Sequence, residues 1–124
     1  MDQTVTIDLI TRRPDGAYVL VLIEEGDWVS EGVDSNLRRL QGRLYAAVDV
    51  AVDGHLVSKY PDAKGHPVII RLHCYDVPRE PVEEFFHRFS DSINARADLR
   101  ADIERNGFAT RLDFEFKWRH RPDG

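Results

Sequence analysis

Residues 67–76 read PVIIRLHCYD, and the placement of this stretch decides the fold. Read with a period of two, it sets Val68, Ile70, Leu72 and Cys74 on one face and Ile69, Arg71, His73 and Tyr75 on the other. An aliphatic face backed by a mixed one is the pattern of a strand inside a sheet that carries helices on one side. The same alternation answers a chemical question. Cys74 and His73 are sequence neighbours, yet a strand sends them to opposite faces, so no imidazole comes within reach to activate the thiol. Cys74 is therefore expected to pack as a small buried hydrophobe.

Working outward, residues 4–12 alternate Val5, Ile7 and Leu9 against Thr4, Thr6 and Asp8, which predicts a half-buried first strand. Arg13-Pro14-Asp15-Gly16 has the composition of a hairpin turn. The stretch AYVLVLIEE from Ala17 is almost continuously apolar and reads as a strand covered on both sides. From Asp34 or Ser35, Leu37, Leu40, Leu44, Ala47, Val48 and Ala51 fall at helical spacing, with Arg38, Arg39, Arg43 and Asp49 largely opposite. Asp53-Gly54 ends this helix, and a short turn through Leu56 and Tyr60 leads to Pro61 and Gly65.

Beyond the central strand, Pro78, Glu80 and Pro81 open a second helix, whose apolar stripe is Val82, Phe85, Phe86, Phe89 and Ile93. Ser90-Asp91-Ser92 and Asn94 are poor interior formers. They leave open whether the helix runs on through Leu99 and Ile103 or breaks within residues 94–98. Asn106-Gly107 closes the helical region. Phe108, Leu112, Phe114, Phe116 and Trp118 then alternate with Arg111, Asp113, Glu115 and Lys117 in a last strand.

The order β-β-α-β-α-β predicts an α+β fold, a two-layer sandwich of a four-stranded mixed sheet with two helices on one face. Connection rules give the strand order 1-2-3-4 with the first strand antiparallel, or 2-1-3-4 if that strand inserts next to the third. Residues 1–118 read as a single domain and 119–124 as a flexible C-terminal tail. The face away from the helices is expected to carry Asp8, Arg71, His73, Arg111, Asp113, Glu115 and Lys117.

Composition narrows the function classes. Seventeen basic against twenty-two acidic residues give a net charge of -5, which disfavours polyphosphate and anionic lipid as partners. The basic, aromatic KWRHR from Lys117 is a short patch, so nucleic acid is not an expected partner. No apolar run approaches the roughly 18 residues of a membrane span. One cysteine excludes an internal disulfide, and the expected location is the cytoplasm. The five histidines, His55, His66, His73, His87 and His120, show neither H-x-H nor H-E-x-x-H spacing, so no metal site is expected. Glu83, His87 and Asp91 share one helix face, where surface salt bridging accounts for them. Neither G-x-G-x-x-G nor G-x-x-x-x-G-K-[ST] occurs, and no cofactor is expected.

The succession TIDLI, VLVLIEEGDW, LRRLQGRLYAAV, DGHL and KYPDAKGHPVIIRL resembles a small bacterial family known only as a domain of unknown function. The resemblance covers roughly residues 4–90; the Asp91–Arg105 segment and the aromatic last strand depart from it. It implies a fold type and a bacterial origin, and it supplies no catalytic residue.

Two places remain where chemistry could gather. Loops after the second, third and fourth strands meet beyond their carboxyl ends, where parallel sheets favour ligands, and they offer Asp27, Trp28, Asp76, Arg79, Trp118 and His120. The plainer reading is that Trp28 caps the core and the acids are solvated. On the open sheet face, Arg71, His73, Arg111, Asp113 and Glu115 could pair a base with a carboxylate, although a flat face excludes no water and a surface ion-pair network is the simpler account. No catalytic residue is therefore named. The expected role is non-catalytic binding by a homodimer or within a complex, since an outer strand must leave an edge exposed. The alternative is a small-molecule binder or enzyme at the rim around Trp28 and Trp118.

Overall fold

A computed structural model describes residues 7–26, 28–29 and 32–120. β1 (Leu9–Arg12), β2 (Tyr18–Glu25), β3 (His66–Tyr75) and β4 (Ala109–Arg119) form one sheet in the order β1-β2-β3-β4. β1 is antiparallel to β2, and β2, β3 and β4 run parallel. Of the two predicted orders, the first is therefore the one adopted. β4 extends through Arg119, one residue past the expected end, and residues 121–124 of the expected tail lie outside the described residues.

Among the described residues there are four α-helices, and a 3-10 turn at Pro61–Ala63, where two helices were expected. α1 (Val33–Val52) and α2 (His55–Lys59) join β2 to β3, while α3 (Arg79–Asn94) and α4 (Ala97–Asn106) join β3 to β4. α1 starts earlier than Asp34 or Ser35, with Gly32 as its cap and the Asn36 amide donating back to the Gly32 carbonyl at 2.8 Å. It ends at Asp53, and Gly54 turns the chain through φ 97° into the single turn of α2. A Cβ at Gly54 would meet the Phe108 ring at 2.9 Å, so both conformation and space call for glycine there. The break between α3 and α4 falls at Ala95 and Arg96, within the window flagged by sequence. Arg96 takes an extended conformation and bonds the Asp98 carboxylate in the first turn of α4.

The main core lies between these helices and one sheet face. Leu20 and Leu22 of β2, with Val68, Ile70, Leu72 and Cys74 of β3, meet Leu40, Leu44, Ala47, Val48 and Ala51 of α1 and Val82, Phe86, Phe89 and Ile93 of α3. The β3, α1 and α3 positions are those that the two periodicities nominated, while β2 was read only as continuously apolar. The rings of Phe114 and Phe116 lie 6.1 and 5.8 Å from that of Phe86, which anchors β4 beneath α3.

β1 corrects the expected phase. Leu9 pairs with Val21 and Ile10 with Leu20, so Ile10 turns to the helices and Leu9, 52% exposed, to the open side. The cause is Asp8, which was expected on the open face. Its carboxylate accepts the Ile23 N–H at 2.7 Å and an Arg43 N–H at 2.7 Å, so it belongs to the helix side with the α1 cation. Thr4, Val5 and Thr6 lie outside the described residues. The open face is also less charged than expected. Ala17, Val19, Val21 and Ile69 form a buried apolar cluster across β2 and β3, and charge is confined largely to the β4 side.

Phe86 is 1% exposed and carries the contact between α3 and β4. Phe86→Ala is expected to lower the unfolding free energy in urea by about 3–5 kcal/mol.

Candidate functional site

The open side of β3 and β4 orders its polar residues in ranks. Val21, Arg71 and Glu115 share one rank, Ile23, His73 and Lys117 the next, and Glu25, Tyr75 and Arg119 the last. In the first rank the Arg71 guanidinium donates to Glu115 through Nε at 2.9 Å, and Arg13 reaches the other oxygen of the same carboxylate at 3.4 Å. Arg111 takes Asp113 at 2.6 Å. Both candidate carboxylates thus go to arginine, and His73 stands opposite Lys117 instead.

His73 stacks on Tyr75 with ring centroids 4.7 Å apart, and its Nε2 is buried with no hydrogen-bond partner. Desolvation pushes its pKa below the ordinary histidine value, and the charges of Arg119, Arg71 and Lys117 push it further in the same direction. Among the described residues, no carboxylate orients this ring. On the other side of β3, burial, with a smaller contribution from Glu24, pushes the Cys74 thiol up to about 12. A thiol so disposed is not a nucleophile near neutral pH.

At the carboxyl ends of the strands, four of the six rim residues come together. The Trp118 indole donates to the Val77 carbonyl at 2.9 Å, the Arg79 guanidinium lies 5.3 Å over its ring, and the His120 ring meets its edge at 4.7 Å. His120 Nδ1 is 3.4 Å from the Asp76 carboxylate, and Asp76 itself adopts φ 64°. Trp28 belongs to a different group. It is 6% exposed, at φ 62°, with the Arg39 guanidinium 5.9 Å from its ring and its indole nitrogen buried without a partner. Asp27 lies outside the described residues.

Sequence reasoning missed the group beside Trp28. Glu24 is 3% exposed and accepts from Arg39 at 2.9 and 2.7 Å and from Arg43 at 2.6 Å. Arg43 also donates to the Ile23 carbonyl and to Asp8, and Arg39 to Asn36. The signal was present: alternation in β2 turns Glu24 inward with Leu20 and Leu22, and a buried carboxylate requires cations. Arg39 and Arg43, one helical turn apart, had been read as solvent-facing.

The remaining feature is the free side of β4. A cleft of about 480 Å³ runs from Arg13, Asp15 and Ala17 at the β1–β2 turn, across Pro67 and Ile69 of β3, to Arg111, Asp113, Phe114 and Glu115 of β4, with Ser90 and Asn94 of α3 at its far wall. It therefore spreads over the amino-terminal ends of β3 and β4 beside the hairpin turn, and reaches the β4 edge only through Phe114, Ser90 and Asn94. On α3, Glu83 pairs with Arg79 and His87, the surface bridging that its spacing suggested. Among the described residues, no group of three or more His, Cys, Asp or Glu is arranged to hold a metal ion. Nor is any helix among them long and apolar enough to cross a membrane.

Compared with known protein families, residues 1–105 match a family described as being of unknown function, DUF6572. The chain belongs to this family. The match takes in the Asp91–Arg105 segment that was expected to depart, and it stops short of β4. Nothing matches among curated proteins or among solved structures.

Two measurements check the geometry of this DUF6572 chain. Native protein at about pH 8 should leave a thiol reagent unreacted, whereas in urea it should titrate one thiol, that of Cys74. For His73 the folded pKa lies below the unfolded value, so as pH falls the unfolded chain takes up the proton first. The associated stability is present above the ordinary histidine pKa of 6.5 and is lost as pH drops below it. His73→Gln should therefore flatten the fall in urea stability between about pH 7 and pH 5.

Proposed function

We propose that this DUF6572 domain is a non-catalytic interaction module, acting as a homodimer or within a larger complex by adding a strand at the free edge of β4. The contrast between the two edges of the sheet carries this reading. Among the described residues β1 spans four and β4 eleven. Short edge strands are one device by which sheets avoid pairing, while a long regular edge offers a row of unpaired N–H and C=O groups. The one irregularity in the β3–β4 register falls at its start, between His66 and Val68, leaving the rest of β4 straight. Main-chain pairing at such an edge supplies affinity, and alternate side chains supply selectivity.

Chemistry at the other candidate places has less support. The inward thiol and the cation-flanked imidazole lie on opposite faces of β3, so they make no catalytic pair. A reducing compartment such as the bacterial cytoplasm suits a chain whose single cysteine is a buried free thiol. The rival reading, a small-molecule site at the rim, draws on Trp28: its unpartnered indole N–H and positive φ are features that cluster at ligand sites. A metabolite that raises the melting temperature of the protein but not of Trp28→Phe would favour that rival.

Sedimentation equilibrium tests the main reading. The expected result is a mass near twice 14.3 kDa at micromolar concentration, and a monomer across the whole dilution series of the isolated chain removes the homodimer.

A further inference from the structure

We infer that the occupant of the β4 edge is a second copy of this chain, paired antiparallel about a two-fold axis at Phe116. This rests on the reading of β4 as the interaction edge and adds to it a partner and a register. The reasoning starts from the order of charges along the strand. On the open face β4 presents Arg111, Asp113, Glu115, Lys117 and Arg119 in turn. Asp113 and Glu115 have arginine partners within the chain, whereas Lys117 and Arg119 make no ion pair among the described residues. Two cations therefore stand uncompensated beside the free edge, next to two acids on the same strand.

Antiparallel self-pairing allows only a few registers, and the charges separate them. A one-residue shift sets helix-face residues against open-face residues and is excluded by the apolar stripe. Centring on Glu115 pairs Asp113 with Lys117 but brings the Glu115 carboxylate against its own copy and Arg111 against Arg119 of the second copy. Centring on Phe114 opposes Asp113 to Glu115 and Arg111 to Lys117, like against like. Centring on Lys117 pairs Glu115 with Arg119 but opposes the two ammonium groups at the axis and sets Asp113 opposite a position beyond the end of β4. Centring on Phe116 opposes Glu115 to Lys117 and Asp113 to Arg119, each twice by symmetry, so every open-face pair between residues 113 and 119 is of opposite sign. The helix face agrees with this register. Phe116 meets its own copy and Phe114 meets Trp118, and all three rings are only half-buried in the single chain. The open face thus selects this axis, and the helix face is compatible with it.

Charge on an edge strand also serves to keep partners away, lysine especially. A guard of that kind works when copies repel. Here the order acid, acid, base, base about Phe116 makes two copies attract in one register while penalising its neighbours.

Buried Cys74 leaves any introduced surface cysteine as the reactive one, so cross-linking reads the register directly. Asp113→Cys and Arg119→Cys proteins are mixed and oxidised mildly. The expected product is a disulfide-linked heterodimer from the mixture, with neither variant cross-linking alone, because opposed residues of antiparallel strands lie within disulfide reach. In parallel, Asp113→Arg and Arg119→Asp should each weaken dimerisation by about tenfold, and the double reversal should restore it. Circular dichroism verifies that each variant is folded. A wild-type dimer that yields no mixed disulfide, or Arg119→Cys linking to itself, overturns this register while leaving self-association intact. A wild-type monomer removes both.

Discussion

β3 is gripped on both sides by parallel neighbours, and each of its residues must face either the helices or the open side. That constraint is severe because the two sets differ so much. A slip of one residue would drive Arg71 and His73 into the space now filled by Leu72 and Cys74, burying a guanidinium and an imidazole against Leu40, Phe86 and their neighbours without partners. Both neighbouring registers reinforce the choice. Leu20 and Leu22 of β2 and Phe114 and Phe116 of β4 align with the aliphatic set of β3, so three strands present one continuous apolar face. The helices need only match it.

Within that apolar arrangement Glu24 is the exception. It occupies the last inward position of β2, beside Cys74 in the register, where alternation gives it no route to water. Arg39 and Arg43 reach down from successive turns of α1 to meet it, and Arg43 continues to the Ile23 carbonyl and to Asp8. One carboxylate thus joins α1 to β2, and one guanidinium adds the segment before β1. Buried ion pairs recover their desolvation cost poorly, so such a group contributes less to stability than an apolar replacement could. It does fix the rotation of α1, because only one helix face carries both arginines. Trp28, under Arg39, is held at the end of the same group.

Much of this was legible from periodicity, and the failures have physical causes. The inward residues of β3, α1 and α3 follow from spacing alone because burial selects strongly at every second residue of a strand, or every third and fourth of a helix. β1 went wrong because its polar and apolar residues were counted without asking where Asp8 could find a cation; Arg43, thirty-five residues away, decides its side. Arg39 and Arg43 were misread for the same reason. The rim was half legible: the loops after β3 and β4 do bring Asp76, Arg79, Trp118 and His120 together, as parallel strands require, but Trp28 follows α1 and its arginine. The partnering of His73 depended on register rather than on face. Two carboxylates share its side of the sheet, yet a rank or two of separation gives both to arginine and leaves the imidazole beside Lys117.

The same asymmetry that exposes β4 also limits what it can build. Two copies joined at β4 would continue the sheet from four strands to eight, and the remaining edges would both be β1. Each of those is four residues long and ends against Asp8, whose carboxylate has replaced a ladder carbonyl in bonding Ile23. Among the described residues, few ladder groups remain there to receive a third chain. The proposed two-fold axis at Phe116 would make the contact isologous, so each β4 edge would be consumed by the other. In the proposed pairing, growth would end at two copies for reasons written into both edges. A long apolar-backed strand at one side of a sheet is an aggregation hazard when the other side is also open; paired with a blunt β1, it supports a closed assembly instead.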